Sequence, residues 1–339
     1  MAGPKKTIAV IGATGNQGGS VARRFLAAGY HVRALTRNPA SQAAQELASL
    51  GVELVQTEID DPASITAALA GANLIFSVTQ YWEPFFRPDC RAAAAAAGIS
   101  CRRYAYDVEL KQGKNIADAA AATISSLDEN GFIVSTLSHA GKCSGGKFTE
   151  LYHFDSKAEV FPTYVEEQYP ELAKKMSCVH TGYFMTSWRI LPGSYFKKLD
   201  DGSFQMRFPT REDKPIPHLD VNGDTGNFVY AVSQMPPGGA YMAEGSTVGF
   251  GEYIRIFGEV TGARVTYKQV SFDEMVADTE DTDTGIEVAW MYQYADEPGY
   301  DGGMELLTAK DLRAKGIECP MTSLEEWIRK QDWSPVLGK

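Results

Sequence analysis

The sequence predicts an α/β fold: a doubly wound parallel sheet with helices on both faces, joined to a smaller α+β part on the substrate side. Three observations predict it. Up to about Phe184, short apolar runs alternate with segments of helical spacing, the pattern of parallel strands joined by crossover helices. A glycine-rich loop, Gly12-Ala13-Thr14-Gly15-Asn16-Gln17-Gly18, stands between the first run and the first helical segment. Beyond Phe184 the rhythm breaks into stretches rich in Gly, Pro and aromatics, such as "LPGSYFKKLDDGSFQMRFPT". Residues 1–184 are therefore expected to carry the parallel sheet, and 185–339 a smaller, discontinuous domain.

"TIAVIGA" reads as a buried parallel strand, and "GGSVARRFLAAG" as a helix closed by Gly29. "HVRALTR" is a second strand. Asn38-Pro39 opens a helix toward Leu50, since Pro suits a first turn. "VELVQTE", a helix from Pro62 to Ala70 and "NLIFSVT" continue the alternation. After an irregular stretch come the helix "KNIADAAAATISSLDENG" and the strand "FIVSTLS". "DSKAEVFPTYVEEQ" and "MSCVHTG" form a sixth helix–strand pair, and "TSLEEWIRK" a capped final helix. "ADTEDTDTG" is an acidic run without the ligand spacing of an EF-hand, so a solvated loop is expected and no metal site.

Composition narrows the function classes. The chain has 339 residues, 44% hydrophobic and 22% charged, with a net charge of −11. That balance argues against a nucleic-acid surface, which needs a basic footprint. It leaves room for an anionic cofactor, because local backbone amides can hold phosphate. Five cysteines without Cys-x-x-Cys spacing point to a reducing compartment rather than a disulfide or zinc framework. No segment approaches the roughly 18 apolar residues of a membrane span, and "MAGPKKTIAV" lacks a signal-peptide core. A cytoplasmic protein is the expectation.

The glycine loop carries the first chemical inference. Gly12 allows a tight turn, Gly15 lets backbone approach a pyrophosphate, and Gly18 lets helix and strand pack closely. The helix beginning there offers amides and a positive dipole end to phosphate. A P-loop is excluded, because no Gly-Lys-Ser/Thr ends the loop. After the second strand, NAD would call for a carboxylate to hold the ribose diol. The chain has Arg37-Asn38 there, and a guanidinium suits a 2′-phosphate. The expected cofactor is NADP(H).

The stretch "TELYHFDSKAEV" raises the question of catalysis. A short-chain dehydrogenase has Tyr-x-x-x-Lys, with the tyrosine donating a proton. Here Lys157 is present, but the position four before it is His153, and Tyr152 is one place early. One residue is roughly 100° of helical rotation, so Tyr152 and Lys157 do not share a face. His153 is a candidate donor in the tyrosine's place; a packed or capping histidine is the ordinary alternative.

At this point the chain resembles the NmrA-like family of atypical short-chain dehydrogenase relatives. The matching stretches are "VIGATGNQGGSVARRFL", "VRALTRNP", "SVTQYWE", "KQGKNIADAA", "YHFDSKAEV" and "HTGYFM". The resemblance implies a Rossmann domain binding NADP(H), with contacts after each strand. It implies Glu58 and Ile59 near adenine, and Thr79, Gln80 and Tyr81 after strand four. Lys142 would follow strand five, and Gly182, Tyr183 and Phe184 strand six. "FDSK" is also similar to the Phe-x-x-Lys segment of isoflavone-reductase-like relatives, which use this lysine without the tyrosine. The alternative is that Lys157 contacts only the nicotinamide ribose.

The chain departs from the regulator-type members between "YWE" and "LKQGKN", where it carries an insertion. Residues 84–109 leave the carboxyl end of strand four, where ligands of open parallel sheets bind. They mix Phe85, Phe86, Tyr104 and Tyr106 with Arg87, Arg102, Asp89 and Glu109. One reading is a lid over a small-molecule pocket, with Arg87 holding an oxygen and a partly desolvated Glu109 as general acid or base. The other is a surface helix built on Ala92 to Ala97.

Three functions follow from these features. The first is an NADP(H)-dependent oxidoreductase of biosynthesis acting on a small, aromatic or alkaloid-like metabolite. The second is an NADP(H) redox sensor that binds a protein partner. The third is a redox-neutral isomerase with Arg87 and Glu109 converging as an acid–base pair.

Overall fold

The computed structural model describes residues 5–338. Residues 1–4, part of the stretch read against a signal peptide, and Lys339 lie outside it. The chain opens with β1 (Thr7–Val10), α1 (Asn16–Ala27), β2 (His31–Thr36), α2 (Gln42–Ser49), β3 (Glu53–Gln56), α3 (Pro62–Leu69) and β4 (Leu74–Ser77). Then come α4 (Trp82–Phe86), α5 (Pro88–Ala96), α6 (Cys101–Ala122), β5 (Phe132–Thr136), α7 (Ala140–Cys143), α8 (Tyr152–Ala158) and β6 (Met176–Thr181). The remaining strands are β7 (Tyr183–Phe184), β8 (Lys197–Lys198), β9 (Phe204–Phe208), β10 (Ile216–Leu219), β11 (Ala240–Ala243), β12 (Ser246–Val248) and β13 (Val265–Gln269).

Seven strands form one parallel sheet in the order β11-β6-β5-β4-β1-β2-β3, reversing direction of growth between β1 and β4. This is the doubly wound Rossmann arrangement, whose ligand crevice lies at the carboxyl ends beside the reversal. β4, β5 and β6 are buried along their whole length, as strands covered on both faces must be. Two three-stranded sheets, β12-β10-β7 and β13-β9-β8, sit in the remaining part around an aromatic core that includes Tyr195, Phe208, Phe250 and Tyr292.

Several elements differ from the sequence expectation for physical reasons. α2 starts at Gln42 rather than at Pro39, because Asn38 Oδ1 accepts the Ala40 N–H in a local turn and Ser41 takes the cap. The helix expected from Lys114 is the second half of α6, which starts at Cys101, behind the Ser100 cap. It ends at Ala122, where Thr123 turns its hydroxyl back onto Ala119 and Ala120. The sixth helix stops at Ala158, and Phe161, extended before Pro162, breaks the run. The acidic run is not a free loop: Asp281 caps the helix Thr282–Tyr294.

The seventh strand was not expected. β11, only four residues long among glycines, pairs in parallel with β6. The helix Thr225–Val232 also joins this layer, packing on α1 so closely that a Cβ on Gly226 would lie 2.3 Å from the Ser20 carbonyl oxygen. The parallel layer therefore draws on residues past 184.

Candidate functional site

The glycine loop has the shape its residues require. Gly12 takes φ +69°, and its carbonyl accepts the Gly15 N–H at 2.9 Å. A Cβ on Gly18 would sit 2.3 Å from the Gly12 carbonyl oxygen, and one on Gly12 2.8 Å from Val78 Cγ1. The third glycine thus seats α1 against the turn, and the first seats the turn against the segment after β4. Among the described residues no side chain caps α1, and its first turn holds no acid. Thr14, Gly15 and Asn16 are exposed, and a cavity of about 130 Å³ borders them between α1 and α2. Open amides at a helix N-terminus fit a pyrophosphate, and both Arg23 of α1 and Glu46 of α2 border the same cavity.

Arg37 follows β2 and is half exposed, but its guanidinium is engaged: Nη1 lies 2.8 Å from Glu83 of α4. Asn38 is spent on its own turn, donating its N–H to Thr36. Glu58 is exposed, and the Ile59 carbonyl accepts from Asn115. Gln80 is exposed, while Tyr81 is sealed inside and donates to the Arg102 carbonyl at 3.1 Å. Lys142 is exposed and reaches Thr163. Gly182 is pressed between backbones, where a Cβ would meet the Pro217 and Ala243 carbonyls at 2.9 and 3.0 Å. Tyr183 is buried and its hydroxyl bonds Tyr292 and Tyr195; Phe184 packs against the sheet core. The side chains of Tyr81 and Tyr183 thus serve the core, leaving only their backbone for a ligand.

At the carboxyl edge, Glu109 of α6 meets Lys157 of α8. Glu109 is wholly buried, and its two oxygens are filled. Oε1 accepts from Thr79 Oγ1 at 2.7 Å and from the Lys157 ammonium, and Oε2 accepts from Ser156. Three segments of chain converge in this cluster: the end of β4, α6, and two successive residues of α8. A buried carboxylate satisfied this way holds its partner in place, since removing either charge strands the other. Glu109 is sealed from solvent with both oxygens already engaged, so its carboxyl does not face a substrate, which corrects the expectation of a general acid or base there.

Arg87 is placed elsewhere. Its guanidinium pairs with Asp89 at 2.9 Å and Glu83 at 3.4 Å at the surface. The structure does not bring Arg87 and Glu109 together, because Arg87 ends the short α4 while Glu109 lies two turns inside α6. The insertion itself is a helical hairpin. α5 buries only Cys90 and Ala94 and is otherwise the alanine-rich surface helix of the plainer expectation. Phe85 is sealed in a small core with Tyr81, Ala94, Cys101 and Ala105, and Phe86 is exposed, stacked on Trp82.

His153 occupies the face predicted from spacing, and Tyr152 turns away toward Tyr106 and Arg102. His153 Nδ1 lies 2.6 Å from Glu287 Oε1, and the same oxygen accepts the His153 N–H at 2.9 Å. Glu287 Oε2 accepts from Arg102 Nε at 2.9 Å. Burial alone would raise the Glu287 carboxyl, yet the bond and charge of His153, with Arg102, hold it below the ordinary carboxylate value. Sequence reasoning missed Glu287, Ser156 and the Asp155–His139 contact. Glu287 stands 134 positions from His153, and no local pattern in the sequence joins the two.

The NmrA-like family model matches residues 4–328 of this chain. The NmrA-like family domain-containing oxidoreductase cpsB of Aspergillus campestris is 26% identical over 360 residues, covering 96% of each chain. The oxidoreductase ptmS of Penicillium ochrochloron, of the same description, is 26% identical over 345 residues, covering 94% of this chain and 92% of its own. A solved structure of NmrA, a negative transcriptional regulator, in complex with NADP has a TM-score of 0.68 at 23% identity, covering 96% of this chain and 95% of that one. That likeness shows a shared fold. The family match runs through nearly the whole chain, parallel layer and smaller sheets together, and the chain belongs to the NmrA-like family.

Proposed function

We propose that the protein is an NADP(H)-dependent oxidoreductase acting on a small, aromatic or alkaloid-like metabolite at the carboxyl edge of the parallel sheet. The observation that carries this reading is the pairing of two features on one edge: an uncapped α1 behind the glycine loop, and a Lys157 ammonium anchored by buried Glu109. The relatives named as oxidoreductases support the reaction class, and the NADP complex of NmrA supports the cofactor.

The α1 amides and Gly15 would hold the pyrophosphate, Arg37 the 2′-phosphate, and Lys157 a ribose hydroxyl or the reacting oxygen. Bound NADP(H) would supply or accept the hydride. The protein's part is to fix positive charge at that edge and to exclude water with Trp82 and the aromatic start of the insertion, Phe85 and Phe86. Arg37 must leave Glu83 to meet a 2′-phosphate. An exposed pair of this kind is worth about 0–1 kcal/mol, and a phosphate carrying close to two charges outcompetes it.

The test is calorimetric titration with NADPH and NADH, followed by NADPH oxidation with a panel of aromatic aldehydes, imines and quinones. NADPH should bind about tenfold or more tighter than NADH, a difference of about 1.4 kcal/mol. Arg37→Ala should erase that preference, and Glu83→Gln should enlarge it. Equal affinities unaffected by Arg37→Ala would overturn the cofactor assignment. Tight binding with no turnover of any acceptor would favour the second reading, a regulatory NADP(H) sensor. That reading draws on the resemblance to NmrA, a negative transcriptional regulator.

A further inference from the structure

We propose that Glu287 is a positioning residue for His153, and that the two form a carboxylate–imidazole dyad whose free Nε2 carries the proton of the reaction. The inference rests on the oxidoreductase reading above and adds the group that stands in for the absent tyrosine.

The geometry is specific to the ring. Glu287 Oε1 holds His153 twice, by the backbone N–H and by Nδ1, so both the start of α8 and the plane of the imidazole are fixed from one point. A carboxylate with its second oxygen on Arg102 can only accept, which keeps a proton on Nδ1 and assigns the exchangeable position to Nε2. Nε2 bonds to none of the described residues, yet it is not among the polar atoms sealed away without a partner. The contrast is with His218 Nε2 and His180 Nδ1, which are sealed and unpartnered, and whose rings burial pushes down to about 4. His153 and Lys157 are i and i+4 on α8 and so share a face. Lys157 is tied to Thr79 at the end of β4 through Glu109, and the His153 ring packs against Tyr81 and Trp82, which follow that strand at centroid distances of 5.7 and 5.2 Å. The glycine loop touches the same segment through Gly12 and Val78.

In the reductive direction, the Nε2 proton passes to the oxygen of the substrate carbonyl as the carbon accepts hydride. The N–H bond breaks as the O–H bond forms, and water restores the proton to Nε2. Nδ1–H stays on the ring throughout, held by Glu287, the division of labour of a carboxylate-oriented histidine. A purely structural ion pair between α8 and the helix Thr282–Tyr294 would need the same contacts but would not place Nε2 beside bound cofactor.

The experiment that separates the two is heteronuclear NMR of the ring nitrogens in 15N-histidine-labelled protein, with and without NADPH. The His153 signals are identified by their loss in His153→Gln. The expected result is a proton on Nδ1 and a His153 Nε2 resonance that shifts on saturation with NADPH, while His180 and His218 stay still. Glu287→Gln, whose amide can donate or accept, should give a mixture of tautomers with NADPH affinity changed by less than about threefold, which is under 1 kcal/mol. Glu287→Asp, which keeps the charge but withdraws it, should give the same mixture if Glu287→Gln does not fold. An Nδ1 without a proton, or a His153 resonance unmoved by bound NADPH, would overturn the dyad and leave the cofactor reading standing. Failure of NADPH to bind the wild-type protein would overturn both.

Discussion

Lys157 and Glu109 show how one residue's role depends on what its neighbour leaves over. The sequence offered Glu109 as an acid and Lys157 as a catalytic or ribose-binding cation; three donors around one sealed carboxylate make Glu109 the anchor instead. Lys157→Met should therefore cost about 3–5 kcal/mol in urea unfolding, since it leaves a buried charge unpaired. The double variant Lys157→Met/Glu109→Gln should recover most of that loss, and additive losses would show the pair to be uncoupled. His139 supplies a second test. Its ring lies 2.7 Å from Glu159 and 3.1 Å from Asp155. Burial would lower its pKa, but the bond and charge of Asp155, with Glu159, raise it above the ordinary 6.5. A raised folded-state value means the contribution is fully present below about 6.5 and is lost as pH climbs through the folded value. The stability difference between wild type and His139→Gln should thus be larger at about pH 6 than at about pH 9; a difference independent of pH would refute it.

At the scale of elements, what was legible followed from local pattern, and what was not followed from distance along the chain. The loop from Gly12 to Gly18 and the strands up to β6 could be read because each carries its signal within a few residues. β11 could not, because four residues among glycines have no period of their own and become a strand only by pairing with β6. The hairpin of α4, α5 and α6 was read as aromatic and charged, but not as clamped. Its clamps come from the far helix: Arg91 to Asp281, Cys101 to Asp283 and Arg102 to Glu287. Those three contacts, with the sealed Phe85, make the insertion a docked element. Phe85→Ala should destabilise it by about 3–5 kcal/mol. Hydrogen exchange should locate the loss in α5 and the start of α6, with the sheet's protection kept until global unfolding. Uniform loss across the sheet would show that the hairpin has no independent stability.

On the scale of the whole molecule, the two parts expected from the sequence share a core rather than a border. α1, which carries the cofactor loop, is covered by the helix Thr225–Val232, and β11 closes the edge of the sheet beside β6. Phe25 of α1 is fully buried and packs edge-on against Tyr230, while Arg24 lies 3.8 Å over the same ring. A parallel sheet needs both faces covered before it can exclude water, so residues 1–184 do not contain all the parts of their own layer. The chain should then unfold as one unit. Phe25→Ala removes a sealed ring from α1 and should cost about 3–5 kcal/mol. Four of the five tryptophans, Trp188, Trp290, Trp327 and Trp333, lie beyond residue 184 and report on the other part. In urea, the tryptophan fluorescence transition and the far-ultraviolet dichroism transition of Phe25→Ala should move together by the same free energy. If the fluorescence transition stayed at its wild-type midpoint while the dichroism shifted, the two parts would be separate cooperative units. The helix Thr225–Val232 would then be an ornament on α1 rather than a structural member of the cofactor layer.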